Sequence, residues 1–118
     1  MTISADVQAL LPLPSVTFHV LVSVAPEPCH GYAIIQAVEA RTSGTLRLSA
    51  GSLYRAIGRM VDQGLLAETS RRPAQGDDER RRYYRITPFG TAVARAEMRR
   101  LTNLVQLARA SGLTPESI

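Results

Sequence analysis

Apolar positions in this chain follow a helical period over several stretches and a strand period over shorter ones. Residues 16–25 form a nearly continuous apolar run, broken only by Thr17, His19 and Ser23. Its valines alone would favour a strand. Ser15 in front offers a helix cap, however, and Pro26 and Pro28 behind it a stop, so the run reads as a buried helix. A second helix is expected over residues 31–42, with Ile34, Ile35 and Val38 on one face and Gly44 as its stop. Leu46 and Leu48 flank Arg47 with period two, enough for a very short strand. The clearest period covers residues 49–63. There Leu53, Ile57, Met60 and Val61 share one side, while Ser52, Arg55 and Arg59 share another. Gly64 ends that helix where a left-handed backbone is needed.

Two strand-like runs come next, residues 65–70 and 81–86, around a polar segment containing Pro73 and Gly76. They predict an antiparallel hairpin with Tyr84 and Ile86 facing inward and Tyr83 and Arg85 outward. Thr87-Pro88 is a strong helix start, with Thr as cap and Pro where its missing N–H costs nothing. The last helix should reach Ala110, carrying Ala94, Met98, Leu101, Val105 and Ala108 as a heptad-like stripe. Residues 1–14, ending in Pro12 and Pro14, read as an extended segment with little to pack.

Helix, helix, short strand, helix and hairpin in that order make a winged helix-turn-helix over residues 15–87. A long helix and tail, 88–118, follow. The expected fold is mainly α with a small β-hairpin, plus a C-terminal dimerisation helix, because little of the domain remains for that helix to cover.

Charge sharpens the picture. The chain holds fourteen arginines and no lysine, and ten of them lie between Arg41 and Arg85. With the five acids of that stretch its net charge is +5, against −3 for residues 1–40 and +2 for residues 86–118. A basic middle with near-neutral ends suits a surface that meets a polyanion. A guanidinium, moreover, can bond a phosphate or a guanine edge with two donors at once. Genome composition explains the choice of Arg over Lys, but not the clustering.

The candidate contacts follow from groove geometry. Side chains that read base edges must share the exposed face of one helix near its start, which Ser49, Ser52, Arg55 and Arg59 do. Arg55 is placed for a base edge and Arg59, a turn on, for the backbone. On the hairpin Arg71, Arg72, Arg80, Arg81 and Arg82 bracket a tip that can follow a phosphate backbone or enter a minor groove. Asp77, Asp78 and Glu79 at the tip are expected to point away or to pair with these arginines.

Other chemistry is poorly supplied. His19, Cys29 and His30 do not make a believable metal set, and nothing in their spacing suggests nucleophilic catalysis. With no phosphate-cradling glycine loop and no carboxylate pair, neither enzymatic activity nor a cofactor is expected. The lone cysteine fits a reducing cytosol. The start lacks the basic residues of a signal peptide, and the 16–25 run is too short to span a bilayer. A soluble cytoplasmic protein without a membrane partner is the expectation.

Three segments are similar to the PadR family of winged-helix transcriptional regulators. Pro28-Cys29-His30-Gly31-Tyr32 resembles the opening of its second helix, and Leu48 to Ile57 with Gly64-Leu65-Leu66 its recognition helix. Arg81 to Gly90 resembles its second wing strand and the helix cap after it. The resemblance covers roughly residues 16–110 and implies a homodimeric regulator of double-stranded DNA, usually a repressor. It adds Tyr54 to the recognition helix, half structural at the edge of the apolar face, and Tyr32 near the DNA backbone. Some short relatives bind aromatic drugs between subunits using tryptophan. This chain has none, so any small-molecule effector must be held otherwise. The expected activity is therefore operator binding at an inverted repeat, with a winged-helix adaptor that binds protein instead of DNA as the rival.

Overall fold

In the computed structural model, which describes residues 4–70 and 81–115, the chain runs α1 (Ala5–Ala9), α2 (Ser15–Val24), β1 (Cys29–His30), α3 (Gly31–Arg41), α4 (Ala50–Asp62), β2 (Leu66–Thr69), β3 (Tyr83–Ile86) and α5 (Pro88–Ala110). Val20, Leu21 and Val24 of α2, Ile34 and Val38 of α3, and Leu53, Ile57 and Met60 of α4 meet in one core cluster. Leu65, Leu66 and Tyr84 close it from the sheet side and Val93 and Ala96 from α5. The inner face of α4 differs from expectation at one position. Ala56 is buried, whereas Val61 is 39% exposed, because the face centred on Leu53, Ile57 and Met60 passes through 56 and leaves 61 at its rim.

The helix ends are specified locally. Ser49 caps α4, its hydroxyl oxygen accepting from the Ser52 N–H at 3.1 Å. At the other end Leu65 N–H bonds Met60 O and Gly64 N–H bonds Val61 O, with Gly64 at φ +78°; this is a Schellman closure. α3 closes the same way, Gly44 N–H to Glu39 O and Ser43 N–H to Ala40 O. There the left-handed position next to the helix falls on Ser43 (φ +51°), one residue before the glycine expected to stop it. α2 begins after Pro14 with no side-chain cap, so Ser15 is its first residue rather than its cap.

The sheet is three-stranded and antiparallel, in the order β1-β3-β2. Its third strand is Cys29–His30, not the 46–48 segment. His30 already has extended backbone as the residue preceding α3 (φ −89°, ψ 164°), and that conformation pairs with β3. Leu46 and Leu48 pack against the core from a loop without strand pairing. Tyr84 joins the core and Tyr83 does not, as alternation requires. Tyr83 is nevertheless only 1% exposed, with the His30 ring edge-on to it at 5.3 Å.

The first residues are not extended. Ser4 caps α1 through the Val7 N–H, and Val7 and Leu13 are buried in the core cluster. Their partner is α5. Glu97, 2% exposed, accepts the Leu13 N–H at 3.0 Å and two hydrogen bonds from Arg100 at 2.6 and 3.1 Å. Thr87 caps α5 by accepting from the Gly90 N–H at 2.9 Å. At 23 residues α5 spans about 34 Å. Only its first half packs on the domain, and Thr102 through Leu107 are all exposed.

Candidate nucleic-acid interface

On α4 the predicted polar stripe faces outward: Ser49, Ser52, Arg55 and Arg59 are all exposed. The Arg55 guanidinium folds back over the first turn, 3.4 Å from Ser52 Oγ and beside Gly51. The Arg59 side chain makes no hydrogen bond or ion pair among the described residues. Both guanidinium groups therefore remain available to an anion, Arg55 near a helix start whose dipole favours one and Arg59 in the last turn. Asp62 is exposed three residues after Arg59 on the same stripe.

Tyr54 lies at the edge of this face, 50% exposed. Its phenol rests on Gly31, where a Cβ would come within 2.6 Å of the hydroxyl oxygen. A side chain at the start of α3 would therefore push the Tyr54 ring off its present seat. Tyr32, the next residue, is also exposed. His30 precedes them and caps α3, its Nδ1 accepting from the Ala33 N–H at 3.1 Å. Its Nε2 lies 2.9 Å from an Arg81 guanidinium nitrogen. Contacts thus run from α4 through the start of α3 to the root of the wing. Beneath them, burial pushes the Tyr84 phenol above its ordinary pKa, with Glu68 and Tyr54 adding to the shift and Arg82 opposing it.

Arg81 and Arg82 are exposed at the foot of β3. Arg82 sits 3.9 Å from Glu68, an exposed pair worth little in water, which a phosphate can displace. Arg71, Arg72 and Arg80, with the acids Asp77, Asp78 and Glu79, lie outside the described residues. Arg47 was not among the expected contacts. It is 79% exposed three residues before α4 and 3.6 Å from Glu39. Reading 46–48 as a strand had hidden a cation at the approach to the recognition helix.

Cys29 is occupied structurally. The Cys29 thiol donates to the Ser23 carbonyl at 3.3 Å. Burial pushes its pKa up, with Glu27 adding to the shift and Arg41 opposing it, which makes it a poor nucleophile. No group of three potential metal ligands occurs among the described residues.

The stripe on α5 divides. Ala94, Leu101 and Ala108 are half-buried while Met98 and Val105 are exposed. Leu104 and Leu107 extend the bare apolar surface beyond the predicted positions, at 54% and 65% exposure. Ala94 and Met98 also border a groove of about 400 Å³ between α2 and α5, whose other walls include Phe18, Leu21, Val22 and Ala25.

A three-helix core, a short antiparallel sheet and an exposed arginine-bearing third helix define a winged-helix protein. The chain belongs to the PadR-like family of transcriptional regulators, whose pattern matches residues 20–96. That family consists of regulators, not enzymes. A transcriptional regulator from Clostridium thermocellum has the same fold, with a TM-score of 0.67 at 23% identity over 92% of this chain and 97% of its own. A PadR family regulator from Eggerthella lenta is 25% identical, with a TM-score of 0.64 over 92% and 87%. Bacillus subtilis PadR, solved in complex with operator DNA, has a TM-score of 0.59 at 12% identity over 72% and 48%. No curated protein is similar enough in sequence to count as a relative. No described helix is long and apolar enough to cross a membrane.

Proposed function

We propose that this protein is a cytoplasmic homodimer that represses transcription by occupying an inverted-repeat operator. In this reading residues 15–87 are the DNA-binding domain and 88–118 the dimerisation helix and tail. The observation that carries it is the exposed face of α4, where neither Arg55 nor Arg59 forms an ion pair with a described carboxylate. Arg55 reads a base, Ser49, Ser52 and Arg59 hold the backbone, and Tyr32, Tyr54 and the wing arginines flank them. The operator complex of the Bacillus subtilis relative supports DNA as the ligand. Two copies joined along Ala94, Met98, Leu101, Val105 and Ala108 would set their recognition helices one DNA turn apart, about 34 Å.

Selecting binding sites from random duplex DNA tests this reading, since it reports binding, symmetry and half-site spacing together. A palindromic site is expected. Failure to enrich any duplex would favour the adaptor reading, in which the same helix meets a protein. An apolar effector would find the groove beside Met98, and a thermal-shift screen with aromatic and cationic compounds would reveal it.

A further inference from the structure

Three arginines, Arg41, Arg47 and Arg55, lie between the end of α3 and the middle of α4, and they are held differently. Arg41 is tied inward, its guanidinium donating to the His19 carbonyl at 3.2 Å and to Ser23 Oγ at 2.7 Å. Arg55 folds over the first turn of α4. Arg47 stands between them. Leu46 and Leu48 pack on the core, so Arg47 turns outward, its side chain 79% exposed. The guanidinium lies beside Gly44, where a Cβ would be 3.6 Å from Nη2. Its one charged partner among the described residues is Glu39, with Nε 3.6 Å from Oε1. That separation is too long for a hydrogen bond, and an exposed pair of this kind is worth little in water. Arg47 also comes two residues before Ser49, the cap of α4, so their Cα atoms are at most about 7 Å apart. Its side chain can therefore reach a phosphate next to one held at the helix start. Glu39, seven residues after Tyr32 on the same side of α3, would face that polyanion.

We propose that Arg47 holds a backbone phosphate of bound duplex DNA, and that Glu39 is the group it leaves to do so. This rests on the DNA-binding reading above and adds to it one contact and one exchange. A phosphate offers the guanidinium two oxygens at once, a bidentate pair that the single Nε contact with Glu39 does not make. Neutralising a phosphate also releases counterions condensed on the duplex, a gain with no counterpart in the Glu39 pair. Glu39 is an intramolecular competitor that weakens binding to every duplex alike. The exchange tunes affinity and leaves base choice to α4.

The test uses the full chain, a duplex carrying its selected site, and point variants of that site. Arg47→Ala should weaken binding about 3- to 10-fold, equally on every site variant. It should also make the slope of log affinity against log salt shallower by about 2 for a dimer, one phosphate per subunit. Arg47→Lys, which keeps the charge, should keep the slope. Glu39→Gln should strengthen binding about 2- to 5-fold in the wild-type background. Beside Arg47→Ala the same change should gain clearly less, because the carboxylate acts through that cation. Wild-type affinity and slope in Arg47→Ala overturn the contact, and a loss confined to one base position makes it a base contact instead. Weaker binding in Glu39→Gln overturns the exchange, since the carboxylate would then be positioning the cation. An equal gain with and without Arg47 overturns it too, as general repulsion. Each of these results leaves DNA binding intact. If the wild-type chain selects no duplex, both readings fall.

Discussion

Arg55 bears the sharpest expectation at the scale of single residues. Arg55→Ala should cost about 1–3 kcal/mol of operator binding and relax preference at one base position, measured by titrating the selected site and its point variants. An equal loss on every sequence would make Arg55 a backbone contact. Glu97 carries the second expectation, on stability. Hydrogen bonding from Arg100 holds its carboxyl below the ordinary value, with Leu13 N–H and the Arg100 charge assisting and burial opposing. A depressed folded-state pKa contributes stability that is fully present above the unfolded value, about 4.3. It is lost as pH falls through the folded one. Glu97→Ala leaves the Leu13 amide without its acceptor and should cost about 1–3 kcal/mol at pH 7. The gap to wild type should narrow below about pH 4.3 in urea melts; a constant gap would assign the loss to packing alone. Neither the burial of Glu97 nor that of Tyr83 was legible from pattern, because each depends on a partner distant in sequence, Leu13 and His30.

At the scale of elements, the ends of the longer helices were largely legible. Ser49, Gly64 and Thr87-Pro88 act through backbone groups within a few residues of themselves, so local order suffices to place them. The exception at α3 is informative. Ser43 holds a left-handed conformation that costs a non-glycine residue about 1–2 kcal/mol. Ser43→Gly should therefore raise stability by up to about 1 kcal/mol in urea melts, after the extra freedom of unfolded glycine is subtracted. Gly90 has the opposite requirement. A Cβ there would strike the Leu65 carbonyl, which also accepts the Thr87 N–H at 3.1 Å. Gly90→Ala should shift α5 against the sheet and lower the melting temperature; an unchanged melt would show the junction to be compliant. The third strand was misplaced to 46–48 because period two reports alternating burial, whereas pairing requires a neighbouring strand edge.

At the scale of the whole molecule, the apolar C-terminal half of α5 stands away from the domain it begins on. Leu104→Glu with Val105→Glu should leave the fold intact and convert the proposed dimer to a monomer in sedimentation, because both side chains are exposed in the single chain. Operator affinity should fall by well over 10-fold as two half-sites are no longer joined. A dimer that survives the double change would place the interface elsewhere. If each subunit sets three or four arginines on phosphates, log affinity against log salt should have a slope of about −5 to −7. A flat response would remove the electrostatic basis of the interface.

The sequence alone determined the four longer helices, the caps at Ser49 and Thr87, the pairing of the two wing strands and the identity of the arginine-bearing face, since periodicity and capping are encoded within one or two turns of chain. Tertiary structure decided which strand completes the sheet, that the first residues fold onto α5, and that His30 meets Arg81. Those contacts join residues 51, 53 and 84 positions apart. No local pattern carries such information; it arises only when the packed core brings distant backbones to one place.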